Sequence, residues 1–169
     1  GTEILSDIGG IDNLDDAWKL FREKMDGAEL AKLEKITTEA ALLKIANSIV
    51  LCQPDSVIIN SGSAEDLDTI RQMSLDKGEE SKLAMKDHTI HFDLPEEQGR
   101  IVDRTFYIVN PDENISALAK KILRDYGHDN VNNNLSGIIQ GKLIMDRFFN
   151  LGPPGSTSTI PPIENTSST

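Results

Sequence analysis

Apolar residues recur at helical spacing through the first third of the chain. Asp12 or Asn13 can cap a segment in which Leu14, Trp18, Phe21 and Met25 share one face. Gly27 interrupts that face, and residues 28–36 read as a short second helix. Thr37 or Thr38 opens a third, striped by Leu42, Ile45, Ile49 and Cys52, with Pro54 just past its end. These stripes read as core, and Trp18 as a packing anchor.

From Gln53 the pattern changes. SVIIN, residues 56–60, is a short β-branched run between polar residues and predicts a buried strand. Ser63 with Asp66 resembles a capping box with Asp in place of Glu. The helix it opens carries Leu67, Ile70 and Met73 and stops at Gly78. Further strands are expected over 82–85, 88–93 and 104–110, then a helix over 115–126 closed by Gly127. DNVNNNLSG reads as loop, and 142–151 as a late strand. The following GPPGSTSTIPP holds four of the seven prolines and offers no regular structure. Strand followed by helix implies an α/β fold: an N-terminal helical segment, 1–52, then a mixed sheet flanked by helices, 53–151. Residues 152–169 form a Pro/Ser/Thr-rich tail.

Composition narrows the function classes. In 169 residues, 17 Lys and Arg face 28 Asp and Glu, a net charge of −11. Nucleic acid and anionic membrane surfaces attract basic patches, so neither is an expected partner. No apolar run approaches the ~20 residues of a membrane span. One cysteine, Cys52, excludes an internal disulfide and any multi-cysteine zinc site. A cytoplasmic protein is the expectation.

Two motifs suggest chemistry and then fail on spacing. In HTIHFD, strand alternation sends His88 and His91 to opposite faces, which disfavours a shared metal. Gly137, Gly141 and Lys142 in SGIIQGKL imitate a phosphate loop. The true motif has four residues between its glycines and a hydroxyl after the lysine; here there are three, then Leu143. No metal ligand and no catalytic residue is therefore expected in this chain. Arg100, directly after Gly99 in EEQGRIVDRT, is a better candidate. A small residue before an arginine lets a ligand approach the backbone, and the guanidinium offers a forked donor pair to a carboxylate or phosphate. By spacing alone, a surface arginine neutralising Glu96, Glu97 or Asp103 is the simpler account.

Four stretches occur in order: SAEDLDTIRQMSLDKGEESKLAMKDHTIHFD, QGRIVDRT, SGIIQGK and FFNLGPPGSTSTIPPIENTSS. Together they resemble the N-terminal part of GTP-dependent phosphoenolpyruvate carboxykinases, in particular the archaeal-type branch, over residues 53–168. Enzymes of that family convert oxaloacetate and GTP to phosphoenolpyruvate, GDP and carbon dioxide in gluconeogenesis, with manganese and magnesium. The resemblance implies that Arg100 reaches the oxaloacetate or phosphoenolpyruvate anion and that Gly99 precedes it in the matching segment. It also implies that the turn at Gly152, Pro153, Pro154, Gly155 and Ser156 is scaffold near the active cleft. The family's metal ligands, phosphate loop and guanine pocket lie downstream of the matched region. The chain is thus expected to be an N-terminal fragment without cofactors of its own, inactive alone, whose partner is the C-terminal catalytic part of the same enzyme. Departures are Asp146 and Arg147 on a strand where relatives are mostly apolar, and Thr166-Ser167-Ser168 where relatives have Thr-Asp-Ser. These leave room for another reading, a stand-alone acidic α/β module that binds a small anion or a protein.

Overall fold

The computed structural model describes residues 5–97, 99, 101–149, 152–153, 156–157 and 163–166. It divides into two compact units, Gly1–Arg71 with Leu135–Thr169, and Gln72–Asn134.

In the first unit the helical stripes become core. Helices α1 (Leu5–Gly9), α2 (Leu14–Lys24), α3 (Gly27–Leu33) and α4 (Glu39–Cys52) follow one another. Asn13 caps α2 by accepting from the Asp16 amide at 2.9 Å, and Asp26 caps α3 by accepting from Ala28 and Glu29. Phe21, Leu33, Ile45 and Ile49 are buried, and Trp18 meets Phe21 edge to face at 5.4 Å. Asn47, buried on α4, fixes the connection out of α1. Its amide donates to the carbonyls of Ile11 and Leu43, and its oxygen accepts from the Ile11 amide. Gly9 lies so close to this side chain that a Cβ would fall 2.1 Å from Asn47 Oδ1, so only glycine fits.

Strand β1 (Ser56–Asn60) occupies the predicted residues and leads into α5 (Ala64–Asp76). Half of the expected capping box forms. The Asp66 amide donates to Ser63 Oγ at 3.1 Å, whereas the Asp66 carboxylate binds Ser61 and Lys32 instead.

Within Gln72–Asn134, β2 (Ser81–Lys82) and β3 (Thr89–Ile90) form an antiparallel pair, shorter than expected. Two 3₁₀ turns, Pro95–Glu97 and Val102–Arg104, precede β4 (Tyr107–Val109). The expected helix over 115–126 does not form. Its centre is β5 (Lys121–Leu123), parallel to β4, and helix α6 (Arg124–Leu135) runs straight through Gly127 and the asparagines read as loop. Gly127 is buried against Ile108: a Cβ would sit 3.1 Å from that side chain. Packing therefore explains this glycine, which marks no helix stop here. Asn134 donates to the Asn130 carbonyl one turn earlier, so the polar run supports its own helix.

The first unit closes with β6 (Leu143–Phe148) and β7 (Ile163–Thr166). The sheet order is β1-β6-β7, parallel between β1 and β6 and antiparallel between β6 and β7. This mixed sheet with its helices makes the protein an α/β fold. The strand β7 lies in the tail, directly after the proline-rich stretch 152–162.

Candidate anion site and its surroundings

Arg100 lies outside the described residues; Gly99 and the segment from Ile101 onward are described. Gly99 is an exposed bend residue, and no atom of the described residues beyond its chain neighbours comes within 4 Å of where a Cβ would stand. On the other flank the chain is tied down. The amide of Arg104 donates to the Ile101 carbonyl at 3.0 Å, and Thr105 Oγ1 donates to the same carbonyl at 2.8 Å. Lys120 Nζ pairs with Asp103 Oδ1 at 2.8 Å and also donates to the Asp103 carbonyl. One carboxylate offered to Arg100 by proximity in sequence is thus engaged by a lysine 17 residues away.

The two histidines have separate hydrogen-bond partners. His88 Nδ1 contacts the Lys86 carbonyl at 2.9 Å. His91 sits between the Glu79 carbonyl at Nδ1 and Asp93 Oδ1, 2.6 Å from Nε2. With a partner at each ring nitrogen, His91 serves as a structural clasp. Among the described residues no group of three or more His, Cys, Asp or Glu side chains converges as a metal site would require.

The glycine-rich turn after α6 is also accounted for. Gly137 and Gly141 have positive φ, at 66° and 77°. The Gly137 amide donates to the Leu51 carbonyl and the Ile139 amide to Cys52. The Gly141 amide donates to Asp55 Oδ1 at 3.0 Å. A phosphate cradle needs such amides free and aimed outward. Here they bind the end of α4 and a carboxylate, so the turn is a structural staple.

Two carboxylates in the first unit have strongly displaced acidities, for opposite reasons. Asp66 accepts from Lys32 Nζ at 2.6 Å and from the Ser61 amide at 2.8 Å. Burial pushes its pKa up, but Lys32 and Ser61 outweigh that and bring it down to about 2. Lys32 also pairs with Glu29 at 2.8 Å and donates to the Ile59 carbonyl. Asp146 is fully buried on the central strand β6, opposite Ile59 in the ladder. Neither carboxylate oxygen has a hydrogen-bond partner among the described residues. Desolvation alone pushes its pKa up to about 7. The buried Cys52 thiol is pushed up as well, by burial and then by the charge of Asp146. The sequence marks Asp146 only as a polar residue on an apolar strand; its isolation follows from the register.

Comparison with known proteins supplies the family. The profile of the phosphoenolpyruvate carboxykinase N-terminal domain matches residues 44–169. Phosphoenolpyruvate carboxykinase [GTP] of Saccharolobus solfataricus is 36% identical over 138 residues, 81% of this chain and 22% of that protein. The enzyme of the same name from Thermococcus sibiricus is 32% identical over 148 residues, 88% of this chain and 24% of its own length. That from Pyrococcus furiosus is 30% identical over 155 residues, 92% of this chain and 25% of its own. The chain therefore spans about a quarter of the length of these relatives. It belongs to the phosphoenolpyruvate carboxykinase N-terminal domain family.

Proposed function

We propose that this chain is the oxaloacetate- and phosphoenolpyruvate-binding part of a cytoplasmic GTP-dependent phosphoenolpyruvate carboxykinase, with Arg100 as the residue that holds the substrate anion. The observation that carries this reading is the match to the N-terminal domain across residues 44–169, which includes the Gly99-Arg100 segment. The exposed, uncrowded Gly99 supports it, as does the anchoring of residues 101–105. Residues 53–151 are the proposed substrate-binding region.

The chemistry asks for such a residue. Loss of carbon dioxide from oxaloacetate leaves an enolate, whose oxygen must stay in place until a phosphoryl group from GTP reaches it. A guanidinium that binds a carboxylate through two parallel hydrogen bonds fixes both position and orientation. GTP, manganese and magnesium belong to the full-length enzyme in this reading. Among the described residues no group of three or more His, Cys, Asp or Glu side chains would hold either metal ion. The 169-residue chain alone is expected to form no phosphoenolpyruvate from oxaloacetate and GTP.

Phosphoenolpyruvate should raise the thermal midpoint of the full-length protein, since a ligand that binds only the folded state stabilises it by RT ln(1 + [L]/Kd). Arg100→Ala should remove most of that rise, while the midpoint without ligand stays put. Equal protection of the wild type and the variant would remove Arg100 from the site. Asp146 and Arg147, polar on a strand of the core sheet, and Ser167 favour a second reading, a stand-alone acidic module that kept the scaffold and binds a small anion or protein. A natural polypeptide ending at Thr169 would select it.

A further inference from the structure

The parallel pair β4–β5 lacks what such sheets require. Parallel strands occur in sheets wider than two, covered on both faces, because their edges and apolar faces must be hidden. Here no third strand joins the pair among the described residues. Phe106, Tyr107, Ile108, Leu123 and Tyr126 all remain exposed around it. The edges are open in a definite pattern. The Tyr107 amide donates to the Lys120 carbonyl at 2.9 Å. Alternation then turns the backbone groups of Tyr107, Val109 and Ile122 inward, and those of Ile108, Lys121 and Leu123 outward.

We infer that β4–β5 is an unfinished sheet, and that a strand from the polypeptide downstream of this chain in the full-length enzyme completes it and covers its apolar side chains. This rests on the proposed reading only in taking the chain as part of a longer protein. The relatives are about four times as long as the part this chain matches, which supplies ample chain for the purpose. Energetics favour the same occupant. Five partly exposed side chains and three-residue strands offer roughly a few hundred Å², short of the ~800 Å² per partner of a standard interface between separate molecules. A tethered segment avoids the translational cost of association and is held by a smaller surface.

Hydrogen exchange resolved at single amides tests this, comparing the 169-residue chain with the native polypeptide purified from its source. The expected result is a longer native polypeptide in which the Ile108 amide, or those of Lys121 and Leu123, exchanges at least tenfold more slowly than in the short chain, at any protein concentration. Equal exchange in a longer native polypeptide overturns the inference and leaves the substrate-binding proposal standing. Slowing that grows with protein concentration makes a second copy the occupant and overturns it too. A native polypeptide that ends at Thr169 overturns both.

Discussion

The two units handle apolar side chains in opposite ways. In Gly1–Arg71 with Leu135–Thr169, the helices and the sheet share one core, from Ala17 and Phe21 through Ile45 and Ile49 to Val57 and Ile144. In Gln72–Asn134, the buried positions among the described residues are Val109 and Gly127 alone. Large apolar side chains such as Phe92 and Leu118, 80% and 97% exposed, face outward there. Folding free energy comes mainly from burial, so the first unit carries the stability of this chain. The second holds the Gly99-Arg100 segment. If Arg100 binds substrate as proposed, stability and substrate contact fall to different parts of the sequence.

Substitutions in the first unit should therefore cost or gain several kcal/mol and those in the second almost nothing. The largest effect is expected at Asp146. Its folded pKa of about 7 stands above the ordinary 3.8 of the unfolded chain. The folded state thus holds a proton that the unfolded state releases, and stability falls as pH rises from about 4 through 7. Above that window the loss is on the order of 4 kcal/mol. Asp146→Val should raise the urea midpoint most at pH 8 and much less at pH 4; an equal gain at both would deny the isolated carboxylate.

Next comes Asn47. Asn47→Leu leaves the partly buried Ile11 amide and carbonyl without their Asn47 partner and should lower stability by about 2–3 kcal/mol. A midpoint within error of the wild type would mean that the α1 connection holds without it. A somewhat smaller effect is expected at Lys32. Asp66 is depressed to about 2, so its contribution is present above pH 4 and fades as pH falls toward 2. With both side chains mostly buried, it amounts to about 2 kcal/mol. Lys32→Met should lower stability at pH 6 and flatten the acid limb between pH 4 and 2; an acid limb unchanged in shape would show that Lys32 does not hold Asp66 ionised. Smallest of all, Leu118→Gln in the second unit should shift the midpoint of the 169-residue chain by no more than about 0.5 kcal/mol. A loss of 2 kcal/mol there would erase the contrast between the units.

How far the sequence could be read follows the same division. The stripes of α2 and α4, the caps at Asn13 and Asp26, and β1 at Ser56–Asn60 are local patterns reinforced by a core, so period and structure agree. Between 115 and 135 they part. Ile122 pairs with Ile108 in the ladder, a partner that helical spacing does not reveal, and the asparagines of α6 look like loop until Asn134 is seen bonding Asn130. The strand β7 was hidden by its composition, since pairing with β6 and not propensity makes it a strand. At the candidate site, Gly99-Arg100 was singled out from the sequence. Asp103 pairs with Lys120, a partner 17 residues away that spacing does not reveal.

The central claim is that Arg100 binds the substrate anion, and steady-state kinetics of the full-length enzyme test it most directly. Losing a charge-assisted paired contact costs about 2–3 kcal/mol, so Arg100→Ala should cut kcat/KM for oxaloacetate by roughly 30- to 150-fold. Arg100→Lys should recover only part of this, because an ammonium lacks the planar fork. A kcat/KM for Arg100→Ala equal to that of the wild type would contradict the account.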